Sequence, residues 1–343
     1  MKARTTLLFI LIAVCICLAF VLDIVWGATS IPIGDVLKAL SGSTDTTYNY
    51  IVQNFRLPKA LATLFVGAGV AISGLQMQSL FRNPLADTSI LGINSGAGVG
   101  VAVYTMAYTL FPSLIISSAV ASSWGIIVAA CLGSVGVLLV ISLVASRLGD
   151  MISILIVGVM IGFLASSVIS VLQFFSSEAT LKTYLLWSFG SVSGVTWRQL
   201  SLMLPIVGLG LGLSMLMPKQ MNALNLGEHY ARSVGTNVTL ARVALVGITS
   251  LVTGCITAFV GPIAFLGIAV PHFVRTIFRT ADHHILIPAT MLSGALLLLI
   301  CDIFTQVPGY QFVLPINALT SLLGAPVVIW VIMRGRKNNQ VFR

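Results

Sequence analysis

Apolar residues run through this chain in stretches each about long enough to cross a bilayer, and the polar positions collect in the gaps between them. There are ten, at roughly 5–26, 60–80, 90–110, 115–145, 151–174, 200–217, 240–260, 263–278, 285–304 and 314–333. The pattern predicts an all-α membrane protein of about ten transmembrane helices. Backbone N–H and C=O groups in lipid must be satisfied within the structure, and helices do this segment by segment. No gap is long enough for a separate globular unit, so residues 1–343 are expected to form a single transmembrane domain.

Composition agrees with this reading: 57% of residues are hydrophobic, 8% are charged, and the mean hydropathy is +1.05. A soluble domain with so little polar surface would not stay in solution. The net charge of +9 raises nucleic acid as a partner, but the basic residues are scattered singly between spans and form no stripe interleaved with aromatics. They report topology. With a cytosolic amino terminus and an even number of spans, both termini lie inside. The inner gaps then hold Lys2, Arg4, Arg82, Arg147, Lys219, Arg232, Arg242, Arg275, Arg279, Arg334, Arg336, Lys337 and Arg343, against Lys38, Arg56, Lys59, Lys182 and Arg198 outside. That bias is what the positive-inside rule rewards. The first apolar run is too long for a signal-peptide core and lacks a small-residue cleavage site, so it reads as an uncleaved span. Cys15, Cys17, Cys131, Cys255 and Cys301 lie in apolar stretches with no CxxC spacing. They read as buried small apolar residues, and no metal site or cofactor is expected.

Glycines recur inside the spans, including Gly67, Gly69, Gly74, Gly96, Gly100 and Gly158, as expected where helices approach closely through small residues. Pro262 and Pro271 flank the short eighth segment, which predicts a bent or oblique crossing. Outside, Glu178 and Lys182 are followed by Tyr184, Trp187, Phe189 and Trp197. This suits either a short helix at headgroup level or an ordinary aromatic belt.

Catalytic chemistry finds no footing. The spans carry no Asp pair, no HExxH and no Ser with a His at membrane depth, and no GxxxxGK[ST] phosphate loop is present. The chain is therefore expected not to be an enzyme, to have no catalytic residues, and to depend on a partner for any use of ATP. His283 and His284, beside Asp282, read as helix caps or solvent-facing residues. More telling is Arg56-Leu-Pro-Lys59 at the outer start of the second span. These two cations stand against the charge bias and serve either as a dock for acidic groups or as snorkelling side chains. Inside, Asn83-Pro84 breaks one helix, and Asp87 or Thr88 can cap the next. The longest inner gap, about 218–239, places Leu224, Leu226, Tyr230 and Val234 at roughly helical spacing with Gly227 and Gly235 as punctuation. A short amphipathic helix pair follows, one that fits a partner's groove or rests on the membrane.

These motifs resemble a known family. Arg56-Leu-Pro-Lys59, Gly67-Ala-Gly-Val-Ala-Ile-Ser-Gly74, Arg82-Asn-Pro-Leu-Ala-Asp87, Leu91-Gly-Ile-Asn-Ser-Gly96, Leu226-Gly-Glu-His-Tyr-Ala-Arg-Ser-Val-Gly235, Gly261-Pro-Ile-Ala-Phe-Leu-Gly-Ile-Ala-Val-Pro-His272, Asp282-His283 and Leu323-Gly-Ala-Pro-Val-Val-Ile-Trp330 follow one another in the order found in FecCD-type permeases. These are the membrane subunits of ABC importers for iron-siderophores, haem and cobalamin. The resemblance implies a homodimeric type II ABC importer permease in a bacterial cytoplasmic membrane, served by two ATPase subunits inside and a substrate-binding protein outside. It implies that Arg56 and Lys59 dock the binding protein. It further implies that Leu226, Gly227, Glu228, Ala231, Arg232 and Gly235 belong to the segment coupled to the ATPase. Gates are implied at Asn83 and Leu85 and at Met151 and Ile152.

The chain departs from the family at Lys59, where Arg is usual, and at Gln306, where many relatives carry an outer-face Arg. Lys keeps the charge but loses the bidentate fork. The cargo expected from the resemblance is an iron chelate, siderophore or haem, with cobalamin as the alternative. An ion-coupled secondary transporter is the rival from another class. It needs intramembrane acids, and only Asp23 and Asp302 lie near membrane depth, both at the outer end of a span.

Overall fold

The computed structural model describes residues 2–27, 29, 31–40, 47–110, 123–147, 151–306 and 313–337. Within them the ordered elements are α1 (Lys2–Val25), α2 (Ile33–Leu40), α3 (Thr47–Ile51), a π-helical turn (Val52–Arg56), α4 (Leu57–Phe81), a 3-10 turn (Thr88–Leu91), α5 (Ile93–Leu110), α6 (Ser123–Arg147), α7 (Met151–Phe174), α8 (Glu178–Ser188), α9 (Trp197–Ser214), α10 (Pro218–Asn225), α11 (Glu228–Ser233), α12 (Val238–Val260), α13 (Leu266–Phe278), α14 (His283–Thr305) and α15 (Ile316–Lys337). Every apolar stretch named above overlaps a helix, with several of its ends falling just outside. Among the described residues, six helical runs are long and apolar enough to cross a membrane: Ala3–Val25, Thr47–Phe81, Trp124–Ile141, Ser153–Phe174, Val238–Val260 and His283–Thr305. A seventh crossing is available if α9 and α10, bent by 55° at their junction, form one broken span.

α4 is the axis of the fold. It packs against α9, α12, α13 and α14 and is buried along almost its whole length. Glycine makes this possible. A Cβ on Gly74 would overlap the backbone of Gly267 in α13, and one on Gly67 would overlap the carbonyl of Gly294 in α14. Backbone therefore meets backbone, the close approach that replaces hydrophobic driving force between helices in lipid. α1, α6 and α7 lie at the other extreme, with rows of exposed Leu, Ile, Val and Phe such as Leu11, Leu18, Leu139, Leu143, Phe163 and Leu164. Side chains of this kind belong against lipid.

The bend expected around Pro262 and Pro271 is a break. α12 stops at Gly261, which has φ 82°. Residues 261–265 run without helix, and α13 restarts behind Phe265, itself left-handed at φ 66°. α13 has 13 residues, about 20 Å of helix, too short to cross the hydrocarbon alone. Irregular backbone at this depth has to be satisfied by protein. Asn317 of α15 does this: its amide nitrogen donates to Pro262 O at 2.7 Å and its amide oxygen accepts from Ala264 N at 3.0 Å. Pro271 is carried inside α13.

Among the cysteines, Cys255 and Cys301 are buried and Cys17 is exposed. The expectation of burial therefore fails at Cys17, which lies on the lipid-facing α1.

Candidate functional site

At one end of α4 the structure revises the reading of Arg56 and Lys59. They do not sit in an exposed turn. Leu57 N–H reaches back to Val52 O, and this wide π-turn brings Pro58, which has no N–H of its own, into a continuous helix. Both cations then point inward, Arg56 at 7% exposure and Lys59 at 3%. Lys59 Nζ donates to Asp23 Oδ1 of α1 at 3.0 Å and lies 2.8 Å from Asp302 Oδ2 of α14. Arg56 donates to the carbonyls of Ile24 and Val25 at 2.8 and 2.7 Å and also to that of Thr29. The cluster is neutral, with two cations and two carboxylates. It ties the end of α1 to α4 and α14, and Trp26 Nε1 adds a bond to Gln306 O at 3.1 Å. Both cations are thus engaged inside the chain, a structural role that stands beside the docking role that the resemblance implies. The physical reason is that Asp23 and Asp302, distant in sequence, both meet Lys59 in space.

Five residues before the end of α4 a buried polar chain crosses three helices. Thr249 of α12 donates to Gln76 Oε1 at 2.8 Å, Gln76 Nε2 donates to Ser214 Oγ of α9 at 2.8 Å, and Ser214 donates to Gly210 O at 2.7 Å. Sequence reading did not single out Gln76. A lone Gln inside an apolar helix carries no spacing signal until its partners are placed.

The opposite end of α4 holds the expected turn. Arg82 ends the helix in the left-handed region at φ 48°, and its N–H reaches Gln78 O and Ser79 O. Asn83 Oδ1 then accepts from Leu85 N at 3.0 Å, leaving Asn83 and Leu85 exposed while Asp87 and Thr88 are buried. α13 grips this turn: a ring nitrogen of His272 lies 2.9 Å from Pro84 O, and Arg275 donates to Gln78 Oε1 at 2.6 Å. Met151 and Ile152 open α7, but their side chains lie outside the described residues.

The 218–239 segment is a helix pair, α10 and α11. Leu224 and Ala231 are buried beneath it. Leu226 is 67% exposed, and Tyr230, Arg232 and Val234 are exposed beside it. Gly227 and Gly235 supply the positive φ values, 111° and 81°, that let the chain turn at each end of α11. Glu228 is ion-paired with Arg242 at the start of α12. The pair abuts the turn at the end of α4, since a Cβ on Gly227 would come within 3.7 Å of Arg82 Nη1.

Asp282 caps α14, accepting from His284 N at 3.0 Å and from Asn222 Nδ2 of α10 at 2.8 Å. Its carboxyl is held down at about 2, chiefly by the Asn222 amide and then by the His284 N–H. His284 is exposed beside Asp282, as expected. His283 is not: it is completely buried, with ring nitrogens against Asn222 and Ser79.

The chain matches the model of the FecCD transport family over residues 11–334. It is 36% identical over 301 residues to the hemin transport system permease protein HmuU of Yersinia pestis, covering 86% of each chain. It is 35% identical over 286 residues to the vitamin B12 import system permease protein BtuC of Escherichia coli O9:H4 (strain HS), covering 83% of this chain and 84% of that one. Among solved structures it superposes with a TM-score of 0.81 and 25% identity on a chain described as a metal-chelate type ABC transporter in an inward-facing conformation, covering 96% of this chain and 99% of that one. With a helix-lined α4, a turn and helix pair at one end, and this likeness along nearly its whole length, the chain belongs to the FecCD transport family and is a multi-pass ABC-transporter permease of a bacterial inner membrane.

Proposed function

We propose that the chain works as a homodimer of ten-span subunits, with both termini cytosolic, and imports an intact metal chelate. Two ATPase subunits seat on the α10–α11 pair and a substrate-binding protein delivers from outside. The observation that carries this reading is the α10–α11 surface. Leu226, Tyr230 and Val234 form an exposed apolar patch with Arg232 among them, a combination suited to a partner's groove. Gly227 of the pair lies beside Arg82, next to the Asn83–Leu85 turn, which serves as the inner gate together with Met151 and Ile152. Glu228 anchors α11 to α12 through Arg242, so a push on α11 reaches the membrane helices. Gly227, Ala231 and Gly235 give the pair its shape.

An iron chelate, siderophore or haem, is the assigned cargo. The similarity to permeases named for hemin and for vitamin B12 is nearly equal, so cobalamin is the second reading. Both are whole chelates, which need a wide path and few charged contacts. The binding protein is assigned to the outer surface, where Arg56 and Lys59 act from behind by fixing the end of α1. The test is uptake by the permease reconstituted with its cognate ATPase and binding protein, offered labelled ferric siderophores, haem and cyanocobalamin in parallel. ATP-dependent accumulation of one of them, absent without the ATPase subunit, is the expected result. Accumulation driven by an ion gradient alone would overturn it.

A further inference from the structure

His283 opens α14 with both ring nitrogens bonded, one to each of the two parts that an importer must connect. We propose that His283 is the positioning residue through which the α10–α11 pair is held in register with the gate turn at the end of α4. The inference rests on the coupling and gating roles assigned above to those two segments.

The bonds run in one direction. Asn222 Nδ2 lies 2.8 Å from Asp282 Oδ1, and a carboxylate so placed only accepts, so the amide nitrogen faces Asp282 and the amide oxygen faces His283. That oxygen accepts the His283 backbone N–H at 2.9 Å and lies 2.6 Å from His283 Nδ1. Nδ1 therefore carries a proton. In the neutral ring Nε2 is then the acceptor, and it takes the Ser79 hydroxyl proton across 2.8 Å. These hydrogen positions follow from the network. Every group has its partner, and neither the amide nor the ring can flip without losing bonds.

Geometry makes this chain a link between moving parts. Asn222 rides on α10, whose Met221 and Leu224 are packed into the core, so it moves with that helix. Ser79 lies three residues before Arg82, whose N–H is bonded to the Ser79 carbonyl at 3.4 Å, so its position sets where the Asn83–Leu85 turn begins. A shift of α10 by about 1 Å would break bonds of this length unless the imidazole and Ser79 follow. His272 holds the same turn from α13, but it reaches no residue of α10 or α11 by a hydrogen bond. A buried histidine that merely satisfies the core would join these residues without passing motion between them, and the two cases separate by experiment.

The full-length permease is assembled with its cognate ATPase subunit in nanodiscs, with the five native cysteines replaced by alanine and Leu85→Cys as reporter. The readout is the rate at which a water-soluble maleimide modifies position 85, compared between nucleotide-free and ATP–vanadate-trapped complexes. His283→Phe, Asn222→Ala and Ser79→Ala should each shrink the nucleotide-dependent ratio about fivefold or more. The Asn222→Ala/Ser79→Ala double variant should lose no more than the worse single one, because links in series fail together. Losses that multiply, a ratio that persists in His283→Phe, or a position 85 that ignores nucleotide in the parent complex would each overturn the relay. If His283→Phe does not fold, the two alanine variants decide. Leu226→Glu tests the underlying reading separately. If the ATPase subunit still binds and drives the reporter in that variant, the coupling assignment fails whatever His283 does.

Discussion

Replacing Lys59 by Met keeps most of the side-chain volume and removes the only ammonium between Asp23 and Asp302. At separations of 3.0 and 2.8 Å each ion pair is worth about 6 kcal/mol at an effective dielectric constant of about 20. Desolvating the three ions costs several kcal/mol apiece, so the intact cluster comes out near balance. The substitution does not remove a balanced sum. It leaves two buried carboxylates facing each other with Arg56 committed to carbonyls, and breaking a buried pair from one side costs about 3–5 kcal/mol. Equilibrium unfolding in mixed micelles with increasing SDS should show a loss of that order. Adding Asp302→Asn to Lys59→Met restores neutrality, with Arg56 and Asp23 left, and should recover a large part of it. A Lys59→Met variant within about 0.5 kcal/mol of the parent would refute the argument. The variant also separates the two roles proposed for this cation: a docking lysine would lose binding-protein affinity at unchanged stability, whereas the cluster predicts the reverse.

Gly74→Ala drives a methyl group into the Gly267 backbone, where neither helix can yield. It should cost at least about 1–3 kcal/mol, whereas Gly136→Ala meets open space and should be neutral or slightly stabilising in the same unfolding assay. Asn317→Leu orphans Pro262 O and Ala264 N together, a loss of about 2–4 kcal/mol, read in the same titration. Asp282 is depressed from 3.8 to about 2, so its contribution is fully present above about pH 4 and disappears as pH falls through about 2. Thermal melts in detergent should be steeper on the acid side for the parent than for Asp282→Asn. Arg232→Ala should leave folding intact and lower uptake per ATP hydrolysed in the reconstituted importer, and unchanged coupling there would remove Arg232 from the ATPase-facing surface.

Which of these features could be read from the chain depends on how local their causes are. Apolar run length depends on neighbouring residues, so the helices were legible almost to their ends. The α10–α11 pair was legible for the same reason, because Gly227 and Gly235 punctuate a short amphipathic stretch. The break at 261–265 was half legible: Pro262 announces a disturbance, but the residue that makes it tolerable, Asn317, lies 55 positions later. The charge cluster was missed because the two facts needed were noticed apart. Arg56 and Lys59 stood out as cations on the wrong side of the charge bias, and Asp23 and Asp302 stood out as the only acids near membrane depth. Joining them accounts for both anomalies, since a lysine outside and an aspartate at depth each cost free energy alone and offset one another when paired. His283 was misread in the opposite sense: beside Asp282 and His284 it looks like one of a polar pair facing water. Helical geometry turns consecutive residues about 100° apart, so the first residue of α14 faces Ser79 in the core while the second faces out. Paired anomalies of opposite sign at one membrane depth, and a polar doublet at a helix start, are therefore the sequence signals that would have located both sites.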